Sequence, residues 1–507
     1  MSGATLFTDP NLQLPMERQL KRWGTVLVMA MLVAGFLLRL RAALHTAFNP
    51  DEALHAVLAF GTWSETLSNA LRVTHPPLLA IITYLVARVS HTELALRMVP
   101  LVAGSLFPLL LFIWLRRVAG DLAGAGAFLI LTLSPNLIAL SAQLRSYTLG
   151  LLFFAAALVV LEEGLKRNRW QWMCAFSVLL WLSIASDYSM AWAVGGLGIY
   201  ALLRLRASST ATKVAWAMGQ VGALGLYGFL YLIQVRQFRG SDIEASAVTG
   251  WLRGGFPQSG EMLLFPIASA AKQFKYLTGS TVMGGIGLAL FAAAIVLLLR
   301  TPRTRALAAL LAIPFLLAMA GAYARLFPYG ASRNTVVLGV LGAIGIATLL
   351  ERAPRRVGIG LVGVILIAGP LWQLMLSTET FPLSRNDMHQ CVDYLRATIP
   401  GGKPLFADEA IVHLLTYYAG DTQLPPASHG RRFVESLVGG RWSLAVRDYQ
   451  YYSREEYKAA LEGFRRQYGF SPDERVWVLD GGWVPVAGEA NDGRPFSRVL
   501  SVFQTGP

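Results

Sequence analysis

Charge is scarce in this sequence. Asp, Glu, Lys and Arg make up 15% of 507 residues, against about 25% in a soluble globular chain. The shortage is concentrated in the first three quarters, where long apolar stretches alternate with short polar loops, and it excludes an ordinary soluble body for that part. Cysteine is almost absent. Of the two, Cys174 falls in an apolar run and Cys391 in a polar tail, so no disulfide is expected. Neither an HExxH motif nor a paired-cysteine spacing is found, so no metal site is written in the sequence. Internal repeats and low-complexity tracts are also lacking. No basic stripe is interleaved with solvent-facing aromatics, which removes nucleic acid as the reason for a net charge of +14. The N-terminus has no cleavable secretion signal: its first apolar run follows Arg18, Lys21 and Arg22 and is expected to stay as a membrane helix.

What is present is hydrocarbon: 54% of residues are apolar and the mean hydropathy is +0.49. About eleven segments are long and apolar enough to be candidate spans, at 24–44, 97–115, 121–141, 148–165, 170–186, 189–205, 212–234, 281–299, 305–322, 334–350 and 357–377. One set of loops carries Arg116 and Arg117; Lys166, Arg167 and Arg169; Arg204, Arg206 and Lys213; Arg300, Arg303 and Arg305; Arg352, Arg355 and Arg356. The positive-inside rule makes these cytoplasmic. The opposite loops, including a first external loop at 45–96 and a long one at 235–280, then face the periplasm of a bacterial inner membrane, with the N-terminus cytoplasmic. The segment Pro76–Ser90 is apolar but short. Counting it as a span would invert every later loop, so it is expected to lie in or dip into the interface.

Beyond about Asn386 the pattern becomes that of a soluble domain. Helices are expected over Asp387–Thr398 and Glu409–Tyr418, and from a capping box at Ser453 and Glu456 through Tyr468. Strands are expected at Pro404–Ala407, Val476–Leu479 and Val499–Phe503. The expected fold is a polytopic α-helical membrane protein over 1–383 with a small periplasmic α/β domain over 384–507.

The external loops hold the residues with chemical potential. Asn49-Pro50-Asp51-Glu52 follows the first span. Paired carboxylates beside hydrocarbon are expensive unless used or paired. An aspartate there is able to take a proton from a hydroxyl; an acidic first helical turn after Pro50 is the plainer alternative. Asp51, Glu52 and His55 share a helix face, where a metal or simply a polar surface would fit. His75-Pro76-Pro77-Leu78 marks a helix start with a histidine at its mouth, where phosphate is well received. Arg145-Ser146-Tyr147, Arg325 and Arg333 lie on the outer side against the positive-inside bias, and arginine forks bind phosphate; snorkelling is the alternative for each. Arg39 and Arg41 are expected to snorkel. Arg97 opens the second span as a phosphate contact or a helix anchor, and Asp187-Tyr188 caps another helix end. Carboxylate and arginine together suit one chemistry, in which a base deprotonates a hydroxyl acceptor while arginines receive a departing phosphate, with inversion at the sugar carbon.

Taken in order, Asp51-Glu52, His75-Pro76-Pro77-Leu78, Glu93 to Arg97, Ser134-Pro135 to Arg145-x-Tyr147, and Phe327-Pro328-Tyr329-Gly330-x-x-Arg333 resemble the GT-C membrane glycosyltransferases. The nearest branch is the bacterial relatives of protein O-mannosyltransferases and of the lipid A aminoarabinose transferase. The resemblance covers roughly 24–350 and lies in order and topology, since each motif alone is weak. It implies a sugar donor on a polyprenyl phosphate in the membrane lipid, Asp51 as catalytic carboxylate with Glu52 beside it, and His75 near the donor phosphate; Arg97, Arg145, Tyr147, Arg325 and Arg333, read from the residues themselves, are the further candidates for binding the phosphate or its lipid. It also implies a mobile loop over 235–280, whose Trp251, Phe256 and Phe265 would meet lipid or sugar or anchor at the interface. Where some members have a second acidic residue after the third span, this chain has Arg145 and Tyr147. A divalent metal is therefore left open, with no ligand assigned. The acceptor is a glycan, lipid or protein. Two other readings are a flippase for lipid-linked saccharides and an assembly protein. A flippase should carry ionisable residues deep within its spans and repeated halves, and neither is seen.

Overall fold

The computed structural model describes residues 10–372, apart from 74, 242–243, 245–247, 249–251 and 331–332, and then 383–399, 404–420, 434–438, 442–447, 454–471, 473–480, 494–495 and 500–505. Trp251, Ser453 and Val499 lie outside the described residues.

The chain begins with α1 (Pro10–His45), followed by three short helices, α2 (Pro50–Leu58), α3 (Trp63–Ala70) and α4 (Leu78–Ala87). Then come α5 (Glu93–Val118), α6 (Asp121–Leu133), α7 (Pro135–Ser141), α8 (Tyr147–Arg167), α9 (Trp170–Ser186), α10 (Met190–Arg204) and α11 (Thr210–Ile233). The bundle continues through α12 (Phe265–Thr278), α13 (Thr281–Arg300), α14 (Arg305–Tyr323), α15 (Val336–Arg352) and α16 (Arg355–Trp372). Within the described residues, each expected span falls on a helix. Seven of these helices are long and apolar enough to cross a membrane, eight if the bent pair α6–α7 is one span. α9, at 17 residues, and α10, at 15, fall short of that length, so of the eleven expected spans seven or eight meet it among the described residues. The protein is a polytopic membrane protein, and α4, at ten residues, is too short to cross.

The span expected at 121–141 is broken. α6 and α7 meet at 64° because Pro135 cannot donate to the helix ladder and pushes Ser134 into an extended conformation (ψ 122°). The break leaves carbonyls without helical partners in the middle of the bundle. Arg39, fully buried, fills that need. Its guanidinium donates to Thr132 O (3.1 Å), Leu131 O (3.4 Å) and Gly35 O (3.0 Å), and its Nε to Ser141 Oγ (3.2 Å). Arg39 is therefore not a snorkelling residue: it is the internal cap of a broken helix.

The basic loops gather at one end of the bundle. Arg117 meets Glu163 at 3.6 Å, Arg352 meets Thr304 at 3.4 Å, and the Leu122 amide meets Glu351 at 2.9 Å. The short helices and the C-terminal domain occupy the other end.

The C-terminal domain has α17 (Arg385–Thr398), α18 (Glu409–Tyr418) and α19 (Arg454–Tyr468) against strands β1 (Leu405–Asp408), β2 (Val434–Val438), β3 (Trp442–Arg447), β4 (Val476–Asp480), β5 (Arg494–Pro495) and β6 (Ser501–Thr505). The sheet order is β2-β3-β1-β4-β6-β5, with β1 parallel to both β3 and β4 and the other pairs antiparallel. The hairpin β2–β3 is absent from the expectation drawn from sequence, although Trp442, Leu444 and Val446 alternate with Ser443, Ala445 and Arg447 and Gly439-Gly440 stands between the two runs as a turn signal. Side chains alternate across the sheet. Phe406 and Val478 pack with Phe464 and Ala460 of α19. Leu405, Ala407 and Leu479 face the other way, into a core shared with Ala47, Phe48, Ala53 and Ala56 of the membrane domain. The two domains thus share one hydrophobic cluster, and α18 packs directly on α2.

Candidate active site

The site is built on the first turn of α2. Asn49 caps it, accepting from the Glu52 amide (3.0 Å), while Glu52 Oε2 accepts from the Asn49 amide (2.9 Å). This reciprocal box fixes the turn. Successive helix positions are rotated by about 100°, so Asp51 and Glu52 point into different surroundings.

Glu52 is buried, 1% exposed, and fully engaged. Arg97 on α5 grips it at both oxygens, Nε to Oε1 at 2.8 Å and Nη2 to Oε2 at 2.9 Å. Oε1 also accepts the Leu144 amide at 2.7 Å. Arg97, with no exposed surface, spends its remaining donors on Ala43 O (2.8 Å), Thr46 O (2.9 Å) and Ala47 O (2.9 Å) at the end of α1, and lies over the Phe48 ring at 4.8 Å. Neither residue presents an open face to a ligand.

Asp51 is 42% exposed. Its Oδ2 lies 3.1 Å from Arg145 Nη1 and 2.8 Å from Arg333 Nη2. Arg145 follows α7 and is buried; its Nη2 donates to the Tyr147 hydroxyl (3.0 Å) and to His75 Nε2 (3.3 Å). Arginine has no acceptor, so His75 Nε2 receives and its proton sits on Nδ1. The Tyr147 hydroxyl in turn donates to Asn334 Oδ1 (3.3 Å). His75 packs on His55, ring centroids 5.4 Å apart. His55 is 3% exposed, and among the described residues its Nδ1 has no hydrogen-bond partner.

Burial alone would raise the Asp51 carboxyl, but the Arg145 and Arg333 guanidiniums hold it well below the usual carboxylate range. Burial and Arg145 push His55 down to about 3, and the same causes depress His75. Both rings are therefore neutral at neutral pH. His413 on α18 is pushed down to about 4 by burial and is near enough for the Asp51 charge to act on it. Asp187, 6% exposed at the end of α9, is pushed up to about 6 by burial; its Oδ1 accepts the Ser189 amide at 2.7 Å.

Arg333 is delivered by the segment between α14 and α15, which is tied to the long loop. Tyr329 N–H donates to Gly255 O (2.7 Å), and Gln273 Nε2 to Gly330 O (2.7 Å) and Thr335 Oγ1 (2.8 Å). Gly330 adopts φ +149° and a Cβ on Gly255 would sit 2.5 Å from Pro328 Cβ, so both positions need glycine. Phe256 and Phe265, expected to meet lipid or sugar or to anchor at the interface, are buried instead; Phe265 packs on Tyr323 and Tyr329. Phe265 braces the segment that carries Arg333. The His75 loop is held similarly. Gln234, buried at the end of α11, donates to the carbonyls of Ala70 (2.8 Å), Val73 (2.6 Å) and His75 (2.6 Å).

Of the expected site residues, the fold brings together Asp51, His75, Arg145, Tyr147 and Arg333. It sets Glu52 and Arg97 aside as a closed pair. Arg325 is also apart: exposed, it takes the left-handed conformation (φ 53°) that ends α14, with Leu326 N–H reaching back to Gly321 O (2.8 Å). That explains its place at the helix end without a ligand. Asn334, Gln234 and His413 had no signal in the sequence. His55 had one, its helical spacing from Asp51. Among the described residues no group of three or more His, Cys, Asp and Glu is placed to hold a metal ion. Two arginines on the Asp51 carboxylate make a cationic setting, poorly suited to a second cation.

A bundle of long apolar helices with a broken span, short helices at one end and a mixed α/β domain seated on them is a fold shared with solved membrane glycosyltransferases of the GT-C type. The family model described as dolichyl-phosphate-mannose-protein mannosyltransferase matches residues 74–231, which contain His75, Arg97, Arg145 and Tyr147 but not Asp51 or Arg333. The fold is similar to ArnT from Cupriavidus metallidurans in the apo state (TM-score 0.54, 13% identity, 94% of this chain and 98% of that one) and bound to undecaprenyl phosphate (0.53, 12%, 94% and 97%). It is also similar to the archaeal oligosaccharyltransferase AglB from Archaeoglobus fulgidus in complex with an inhibitory peptide and a dolichol-phosphate (0.52, 12%, 90% and 70%). Curated protein sequences give no significant match. The resemblance read from the sequence motifs is borne out at the level of fold.

Proposed function

We propose that this protein is an inverting glycosyltransferase that moves a sugar from a polyprenyl-phosphate donor to a hydroxyl acceptor, on the periplasmic side of a bacterial inner membrane. The observation that carries the reading is the accessible Asp51 carboxylate bridged by Arg145 and Arg333. The ArnT and AglB structures with lipid phosphates support the donor class. The gathering of basic loops at the opposite end supports the orientation.

The arrangement has a consequence for the order of events. Paired with two arginines, Asp51 is a weak base. A donor phosphate is the stronger competitor for arginine forks. Its arrival would draw Arg145 and Arg333 toward itself and leave Asp51 with less positive charge, so its proton affinity rises when an acceptor is to be deprotonated. Asp51 then takes the hydroxyl proton, and the acceptor oxygen forms a bond to the anomeric carbon. The bond from that carbon to the phosphate oxygen breaks, and the arginines with Tyr147 stabilise the phosphate charge that develops. Neutral His75, accepting from Arg145, orients the guanidinium. Glu52 and Arg97 position the turn and touch no reactant, and Arg325 has no part in donor binding.

The test is incubation of the purified protein with a panel of polyprenyl-phosphate sugars. Release of free polyprenyl phosphate with transfer to an acceptor is expected; no release with any donor, in the presence of membrane glycolipid, glycan and protein acceptors, would sink the reading.

A further inference from the structure

The C-terminal domain meets the membrane domain through more than apolar packing. Tyr418, at the end of α18, is buried beside α5. Its hydroxyl accepts the Phe48 amide (3.0 Å) and donates to Glu93 Oε1 (2.7 Å). Arg385, at the start of α17, donates to Glu93 Oε2 (2.8 Å) and to Ala43 O (3.1 Å). Glu93 Oε2 in turn lies 3.5 Å from Arg97 Nη1, one helical turn further along α5. Arg97 holds both oxygens of Glu52, and Glu52 fixes two backbone points at once: the first turn of α2, which carries Asp51, and the Leu144 amide, next to Arg145.

We propose that Tyr418 and Arg385 of the C-terminal domain are positioning residues for sugar transfer, acting through the buried chain Glu93–Arg97–Glu52 to set the distance between the Asp51 carboxylate and the Arg145 guanidinium. The chain is desolvated throughout, Arg97 being fully buried, Glu52 1% exposed and Glu93 7%. In such surroundings each charge depends on its neighbour's geometry, because water cannot replace a lost partner. Tyr418 also spans two elements, clamping the chain between α1 and α2 at Phe48 while loading Glu93. Removing one hydroxyl therefore loosens the link from both sides while leaving the ring in the shared core. The C-terminal domain is on this account part of the catalytic framework: the active site is complete only when the domain is docked. The inference rests on the function proposed above for its kinetic arm and is independent of it for its structural arm.

The full-length protein with Tyr418→Phe tests it. In hydrogen exchange, amides of α2 and of residues 144–147 should exchange about tenfold faster than in the unaltered chain, while α19 is unchanged. With a polyprenyl-phosphate sugar that the unaltered chain turns over, kcat should fall about 10- to 100-fold with KM for the donor little changed. The acid limb of the kcat pH profile should move upward, because a loosened Asp51 loses part of its arginine stabilisation. Glu93→Gln should give the same phenotype, and the double variant should be no worse than Glu93→Gln alone. Arg385→Lys, which keeps the charge, should retain most of the turnover that Arg385→Gln loses. Unchanged exchange in α2 and 144–147, additive losses in the double variant, or lower yield of folded protein with an unshifted pH profile in the folded fraction would each overturn the inference. If Tyr418→Phe does not fold, the two Arg385 variants and Glu93→Gln decide it alone. Should the unaltered chain turn over no donor while the exchange arm behaves as described, the function proposed above fails and the mechanical coupling stands.

Discussion

Asp51 and Glu52 are consecutive, differ by one methylene, and each meets arginine, yet their surroundings are opposite. Glu52 is sealed, with its oxygens divided among Arg97, the Asn49 amide and the Leu144 amide. Asp51 keeps 42% of its side chain accessible and shares one oxygen between Arg145 and Arg333, which come from distant parts of the chain. The closed pair is a fastener. Its cost of desolvation is met by complete hydrogen bonding, and it leaves nothing for a substrate. The open group is cross-linked by cations that a phosphate is able to claim. Type of residue does not separate structural from chemical carboxylates here; exposure and completeness of pairing do.

The comparison can be broken most severely at its open side. Asp51→Asn should lower transfer by ~10²–10⁴-fold, the range of a lost general base, with the melting curve in detergent nearly unchanged; normal turnover by that variant would remove the base assignment. On the closed side, Arg97→Met strands the Glu52 charge and should cost about 3–5 kcal/mol of stability, seen as loss of folded protein by size-exclusion and thermal unfolding. Retained stability would show that the pair is no fastener. Arg333→Gln comes next. It should reduce kcat/KM by about 10²-fold, the scale of a lost charge-stabilising donor, while fold and expression persist. The smallest effect is expected from Arg325→Gly, which relieves a left-handed backbone at the end of α14. Turnover should stay within about twofold and Tm should hold or rise slightly.

A pH series sharpens the same contrast. His55 and His413 have folded values depressed to about 3 and about 4 from an ordinary 6.5. Between those limits the unfolded chain binds protons that the folded one refuses, so stability should fall as pH falls from 6.5 toward 4. Asp51, depressed by its arginines, has the opposite charge and the same direction: its contribution is present above the ordinary carboxylate range and is lost as pH drops below it. The check is Tm against pH for the unaltered chain and for His413→Asn, whose curve should be flatter between pH 6.5 and 4.

Much of the scaffold was legible in the sequence. The apolar runs mark the helices because hydrocarbon permits few alternatives to a helix for satisfying the backbone. The pattern of α17, α18, α19, β1 and β4 is carried by local periodicity and capping. Asp51 stood out because charge beside a membrane is costly, Arg145 and Arg333 because they lie against the positive-inside bias, and His75 by its place at the mouth of a proline-started helix. Less legible was which of the charged residues would be spent internally. Arg39 read as a snorkelling residue until the break at Pro135 showed carbonyls needing a donor. Arg325 read like Arg333, eight residues away, until backbone geometry gave it the work of ending a helix. Phe256 and Phe265 read as residues for lipid, sugar or the interface and turned inward, Phe265 to brace the Arg333 segment.

Local chemistry, written residue by residue, determined where the chain enters hydrocarbon, where it leaves, where helices begin and end, and which polar groups are too expensive to be idle. Only the tertiary structure decided which of those groups meet. The partners of Asp51 are 94 and 282 positions away in sequence, and such pairings depend on how helices cross, which no short window of residues encodes. The same holds for the C-terminal domain, whose composition announced a soluble body but whose Tyr418 and Arg385 acquire a role only because α17 and α18 are seated on the ends of α1, α2 and α5.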